Sequence, residues 1–349
     1  MTFPPVAHQI DASHHTALKD SSSEHRNSVK DVIEEITSDL LAEKKSISSK
    51  FFYDSVGSKL FDQICNLPEY YPYRTEMGML PSIAKDLSEL ITQPIELIEF
   101  GAGSLTKIRI LLQSVKMIRS VVPIDIAQAH LQSAANLLAT EYPDIDVTPI
   151  FADFTQPISL DNAKDVPKLG FFPGSTIGNF NREFALQFLQ RLRRSLGDSG
   201  MLLIGVDTKK SPQQLHQAYN DSAGVTAQFN RNILSHVNHI TGSDFNPDAF
   251  DHYALYNPHL GRIEMHLVSQ CEQVLRIHDK QISFHQGETI HTENSYKYRP
   301  DEFIHLARMA GWQFEKQWLA KDDMFSVFLL HADTCFASQI GVKGSGLSG

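Results

Sequence analysis

Cysteine is scarce in this chain of 349 residues: the three present, Cys65, Cys271 and Cys335, are odd in number and show no CxxC spacing. Neither a disulfide framework nor a cysteine zinc site is predicted, and the thiols are expected to be reduced. Long apolar runs are also missing. No segment approaches the roughly 18 consecutive apolar residues of a membrane span, and residues 1–30 hold no apolar core of signal-peptide length. These absences predict a cytoplasmic protein with no membrane partner. Clustered basic residues are lacking too: 31 Lys and Arg stand against 41 Asp and Glu, a formal charge of -10. Nucleic acid is therefore not expected as a partner, because phosphate neutralisation needs grouped Lys and Arg. The 16 histidines include the close pairs His14-His15 and His236-x-x-His239, but neither has a third ligand at a recognisable spacing, so no metal is expected.

What is present is an ordinary globular composition, 42% hydrophobic and 21% charged, long enough for one large or two moderate domains. The chain is organised around Pro94 to Gln113, PIELIEFGAGSLTKIRILLQ. Ile95, Leu97 and Ile98 form an apolar strand running into Glu99-Phe100-Gly101-Ala102-Gly103, and Ile108, Ile110, Leu111 and Leu112 give an apolar helix face. A strand, glycine turn and helix of this kind opens a doubly wound α/β domain, with its ligand outside the strand's carboxyl end. A nicotinamide fingerprint would place a third glycine at position 106, which is Thr106. Asp125, closing the apolar run Val121 to Ile124, stands where an acid holds a ribose hydroxyl pair. Glu99, Gly101, Gly103 and Asp125 together suit S-adenosylmethionine (SAM), with a nucleotide-free turn or a dinucleotide enzyme as the alternatives.

In chain order, residues 1–29 are polar and predicted to form a flexible arm. Val29 to Leu41 is predicted helical. Phe51 to Arg74 is dense in aromatics and suits either a core or a pocket, since Tyr53, Tyr70, Tyr71 and Tyr73 bring hydroxyls as well as rings. Strand and helix then alternate: a helix after Thr75, strands ending at Asp125, at Val147 to Phe151, at Leu169 to Phe172 and at Met201 to Val206. Asp153-Phe154 follows the third strand, where an acid and a ring can address an adenine; a helix cap by Asp153 is the plainer possibility. Beyond Lys209 the rhythm breaks into polar helices over 210–245, alternating strands over Phe250 to Gln273, a helix at Phe303 to Ala310 and an apolar strand at Met324 to His331 that closes the sheet. On an extended segment Glu293 and Ser295 share a face and Asn294 points away.

Taken together, FYDSVGSKLFDQICNLPEYYPYR, LIEFGAGSLTKIR, GSTIGN, AYNDSAGVTAQFNRN, RIEM and ENSYKYRP resemble the histidine-specific N-alpha-methyltransferases of ergothioneine biosynthesis, over about residues 48–330. The resemblance implies a Rossmann-like α/β class I SAM methyltransferase sheet with an inserted α+β substrate-binding domain. It implies trimethylation of the α-amino group of L-histidine to hercynine, with SAM as donor. The implied cofactor contacts are Gly101, Lys107, Asp125, Asp153 and Phe154, with Tyr53 covering the cofactor. The implied histidine contacts are Tyr70, Asn179, Tyr219, Met265, Glu293 and Ser295: Asn179 and Tyr219 at the α-amino and carboxylate end, Tyr70, Glu293 and Ser295 at the imidazole. No residue is assigned as a general base. Ala102 and Asn294 depart from the residue types common at their positions, and neither removes a contact group.

The division expected from this reading places 30–73 and 210–296 in the substrate-binding domain, 74–209 and 297–335 in the SAM-binding domain, and 336–349 in a flexible tail. A monomer is expected. The alternatives are the same fold acting on another amino acid or imidazole compound, and a non-catalytic SAM-binding protein.

Overall fold

A computed structural model of the chain describes residues 21–158, 160 and 166–334; the tail 336–349 and the first 20 residues of the expected arm lie outside them. The remainder of that arm corrects the expectation, because helix α1 spans Ser21–Leu41. Apolar periodicity begins only near Val29, so pattern alone cannot reveal the earlier turns. Helices α2 (Ser55–Cys65) and α3 (Tyr71–Leu90) follow. Helix α3 starts five residues ahead of the predicted position, since Pro72 sits in its first turn, where a missing N–H costs nothing.

The α/β unit then runs β1 (Ile95–Phe100), α4 (Thr106–Ser114), β2 (Ile118–Asp125), α5 (Gln128–Glu141), β3 (Asp146–Val147), β4 (Ile150–Phe151), β5 (Lys168–Phe172), α6 (Arg182–Leu196) and β6 (Met201–Asp207). The expected third strand is thus two short ones, both parallel to β2. Pro149 between them has no N–H to continue the ladder.

The chain continues through α7 (Pro212–Tyr219), α8 (Val225–Thr241), β7 (Phe250–Asn257), β8 (Arg262–Ser269), β9 (Gln273–Ile277), β10 (Lys280–Phe284) and β11 (Thr289–Tyr296). It ends with α9 (Pro300–Met309), β12 (Trp312–Leu319) and β13 (Phe325–Ala332).

The main sheet has eight strands in the order β12-β13-β6-β5-β1-β2, with β3 and β4 both on the outer side of β2. Strands β1 to β6 are parallel, and β13 enters antiparallel to β6. This is an open, mostly parallel α/β sheet. Alternate residues of β1 serve its two faces: Ile98 and Phe100 pack with Phe188, Leu189 and Phe303, while Ile95 and Leu97 pack with Leu80, Ile108 and Leu111. Both faces are covered, which is why these strands read as near-continuous apolar runs. The strand order reverses between β1 and β5, and the crevice outside their carboxyl ends is where such sheets bind ligands.

A third apolar cluster joins α1, α2, α7 and α8 to the antiparallel sheet β11-β8-β7, including Phe52, Phe229, Ile233, Ile263 and Met265. The hairpin β9-β10 extends it. The end of β11 meets the turn after β5, where a Cβ on Gly178 would stand 2.8 Å from the Tyr296 carbonyl oxygen.

Candidate active site

The turn after β1 is tight. Gly101 (φ +73°) and Gly103 (φ +50°) both adopt the left-handed region that favours glycine. The N–H groups of Gly101 and Ala102 both reach the Ile124 carbonyl, at 2.9 and 3.1 Å. Asp125 secures the turn from β2: its carboxylate accepts from Gly103 N–H at 3.0 Å and Ala127 N–H at 2.9 Å. A Cβ on Gly101 would lie 3.3 Å from Cε1 of Phe154. The Phe154 ring is fixed edge-on against Phe172 and Phe188. Asp153 caps a turn rather than a helix, accepting from the N–H and hydroxyl of Thr155 at 2.9 and 2.6 Å.

Two buried acids stand behind this turn. Glu76 of α3 pairs with Lys107 at 2.6 Å and accepts the Gly174 N–H at 2.9 Å. Burial pushes the Lys107 ammonium down, but Glu76 outweighs it and holds the group above its ordinary value. Glu99, 2% exposed, keeps one carboxylate oxygen with no partner among the described residues. Burial pushes its carboxyl well above the usual range. Glu76 fits only because position 205 lacks a side chain: a Cβ on Gly205 would lie 2.1 Å from Glu76 Oε1. Gly205→Ala is therefore expected to destabilise the fold by about 1–3 kcal/mol through overpacking. A urea midpoint equal to wild type would contradict this packing.

The glycine turn, Glu99 and Lys107 line a cavity of about 890 Å³. Nine of the sequence-predicted contacts share its lining: Tyr53, Tyr70, Gly101, Lys107, Asp125, Asp153, Phe154, Asn179 and Glu293. Tyr219, Met265 and Ser295 are not in that lining; they are buried, at 6%, 1% and 3% exposure, and Tyr219 stands edge-on to Tyr70 with ring centroids 6.1 Å apart. The expected alternation on β11 holds: residues 293–296 pair one to one with Met265 back to Arg262, so Glu293 and Ser295 share the face of Met265 and Ile263, and Asn294 lies on the face of Glu264. Glu293 and Asn294 both line the cavity, while Ser295 bonds to Tyr219 and Lys297. The register shift of this ladder lies upstream, between His291 and Glu293.

The aromatic segment 51–74 proves to be core and pocket at once. Phe51 and Phe52 are buried in the third cluster, whereas Tyr53, Phe61 and Tyr70 face the cavity and meet edge-on at 5.7 and 6.3 Å. Burial pushes the Tyr53 and Tyr70 hydroxyls well above their usual range, so both remain neutral donors. Glu293 is pushed up to about 7 by burial, against the opposing charge of Lys297.

Sequence reasoning missed Glu76, Asp207 and Lys297, all buried and charged. No spacing connects them, for the partners are 31 residues apart in one case and 90 in the other (107 − 76 and 297 − 207). Among the described residues no group of three or more His, Cys, Asp or Glu side chains could hold a metal, and no helix is long and apolar enough to cross a membrane.

Known proteins resemble this sequence. The sequence profile of the histidine-specific, SAM-dependent methyltransferases matches residues 32–332. The histidine N-alpha-methyltransferase of Mycolicibacterium smegmatis is 37% identical over 293 residues, covering 81% of this chain and 89% of that protein. Ergothioneine biosynthesis protein 1 of Schizosaccharomyces pombe is 28% identical over 81% of this chain, which spans 38% of that longer protein. The L-tryptophan methyltransferase trpM of Psilocybe serbica is 27% identical over 83% of this chain and 89% of its own length. With a match across the glycine turn, the cavity and both sheets, this chain belongs to the family of histidine-specific, SAM-dependent methyltransferases.

Proposed function

We propose that this protein transfers three methyl groups in succession from SAM to the α-amino nitrogen of L-histidine, giving hercynine in ergothioneine biosynthesis. The observation that carries this reading is the single cavity that joins the Gly101–Gly103 turn and Asp125 to Tyr70, Asn179 and Glu293. The residues at the sheet end fit SAM: a turn without Cβ atoms, an acid for the ribose pair, a lysine, an acid and ring for the adenine. SAM supplies an electrophilic sulfonium methyl.

The protein's part is alignment of the amine in line with that carbon, worth roughly 7–11 kcal/mol in favourable cases. Asn179 and Tyr219 hold the α-amino and carboxylate end. Tyr70, Glu293 and Ser295 address the ring, with Met265 behind them. Tyr53, Phe61 and Tyr70 offer aromatic faces to the growing cation, each worth about 0.5–2 kcal/mol. Residues 30–73 with 210–296 form the substrate-binding part in this reading, and 74–209 with 297–335 the SAM-binding part.

Each transfer needs a neutral amine. With solvent taking the ammonium proton, the rate at saturating SAM should rise toward and above about pH 8, the α-amino range. A flat profile between about pH 6 and 9 would instead indicate a protein base or rate-limiting product release.

A second reading is an enzyme of this family acting on another amino acid, which the relative named for L-tryptophan brings into view. Glu293 together with Ser295 favours histidine, because a carboxylate matches the ring N–H while a hydroxyl matches the second, bare nitrogen that an indole lacks. Release of S-adenosylhomocysteine that depends on L-histidine, and not on L-tryptophan, is the result that supports the histidine reading. The reverse preference overturns it.

A further inference from the structure

Behind the cavity wall lies a buried ion pair whose hydrogen bonds are all accounted for. Asp207, at the carboxyl end of β6, is fully buried. Its Oδ2 accepts from the Tyr71 hydroxyl and the Lys297 ammonium, both at 2.7 Å. Its Oδ1 accepts from Lys210 Nζ at 2.5 Å and Thr208 N–H at 2.9 Å. Lys297, 1% exposed, has two further contacts besides Asp207: the Tyr219 hydroxyl at 3.0 Å and Ser295 Oγ at 2.9 Å. An ammonium has three hydrogens and no lone pair, so Lys297 is saturated.

The consequence falls on Ser295. Its oxygen accepts from Lys297 and from the Tyr219 hydroxyl, the latter at 2.8 Å. A serine oxygen has two lone pairs and one hydrogen. Both lone pairs are taken, so Ser295 can only donate. The Tyr71 and Tyr219 hydrogens are already given to neighbours, which leaves the Ser295 hydrogen as the one free hydroxyl donor of the network.

We propose that Lys297, held by Asp207, is the positioning residue of the histidine side: it makes Ser295 a donor only and keeps Glu293 an acceptor. The ring selected is then the neutral imidazole, which offers one N–H to Glu293 and one bare nitrogen to Ser295. This rests on the histidine reading above. An imidazolium would present a second N–H to Ser295, which has no lone pair left to receive it.

The electrostatics agree with the geometry. Lys297 is the one charged group opposing the effect of burial on Glu293, which sits at about 7. The other groups facing Glu293 are the phenols Tyr53, Tyr70 and Tyr219, all pushed up by burial and neutral. Around Lys297 stand Asp207, Lys210, Tyr219 and Tyr256. Burial lowers the Lys297 ammonium, but Asp207 and Tyr219 hold it above its ordinary value, so its charge persists across the working range.

The test is calorimetric binding of L-histidine with S-adenosylhomocysteine present, from about pH 5.5 to 9. In the wild type, affinity should fall as pH drops through about 7, when Glu293 takes up a proton. Lys297→Met should weaken histidine binding roughly 10- to 100-fold at pH 7.5 and move the midpoint of the pH dependence upward. S-adenosylhomocysteine affinity should stay within about twofold, since a remote site adds little coupling. The imidazole of free histidine titrates identically in every experiment, so a midpoint difference belongs to the protein. In a Glu293→Gln background only the Ser295 effect remains: Lys297→Met frees a lone pair to receive an imidazolium N–H, so any residual loss of affinity at low pH should weaken and no upward shift should remain.

Lys297→Gln, which keeps two donors and loses the charge, should show a milder affinity loss and the same midpoint shift; it decides the matter where Lys297→Met does not fold. An unchanged midpoint and affinity in either variant, or an upward shift that persists without Glu293, overturns the proposal. A wild-type protein that does not bind histidine overturns the histidine reading itself.

Discussion

Gly101→Val should lower SAM affinity by roughly a hundredfold or more while the fold survives, since forcing a side chain into this turn stores about 1–3 kcal/mol of backbone strain and overpacking adds a similar amount. Two independent features combine here. The backbone at Gly101 has φ +73°, a region that a β-branched residue enters only as an outlier. The Cβ would also stand 3.3 Å from the edge of the Phe154 ring, which Phe172 and Phe188 hold in place. The valine methyls must go further, toward the cavity or into that ring. The strand before the turn is locked by six ladder pairs with β2, so the fold should be retained. Unchanged SAM affinity by calorimetry in a folded Gly101→Val protein would remove this turn from the cofactor site.

Glu293→Ala should reduce kcat/KM for L-histidine by roughly fivefold to a hundredfold, because an enclosed N–H donor left without its acceptor costs about 1–3 kcal/mol. SAM affinity should hardly change, as the carboxylate belongs to the other ligand. The loss should be selective, shifting relative activity toward amino acids whose side chains carry no donor, since removing a specific polar partner weakens discrimination more than general binding. Ser295→Ala should act in the same direction but less strongly, a neutral hydroxyl contributing less than a carboxylate. Wild-type kcat/KM for histidine in Glu293→Ala would show that the ring is recognised elsewhere.

Much of the fold was legible in the sequence because its signals are local. The β1 turn could be read from apolar alternation running into two glycines, and Asp125 from its place at the end of the next apolar run. The break after Lys209 was equally visible as a change of period. What escaped depended on context that pattern does not carry. The upstream turns of α1 lack apolar periodicity, and Pro149 divides a strand that composition alone suggests is continuous. The bulge between His291 and Glu293 left no mark in the sequence, although the alternation of Glu293 and Ser295 beyond it could be read. The Glu76–Lys107 and Asp207–Lys297 pairs were invisible for another reason. Each is a tertiary contact between distant elements, and a buried lysine looks like any surface lysine until the fold supplies its acid.

The measurement that tests the central claim most directly is mass spectrometry of L-histidine incubated with SAM and this protein. The cavity reading predicts three successive methyl additions, all on the α-amino nitrogen by fragmentation, ending at the quaternary product and ceasing when SAM is omitted. Histidine recovered unmodified from a folded, SAM-binding protein, or methylated on the imidazole ring, would contradict it.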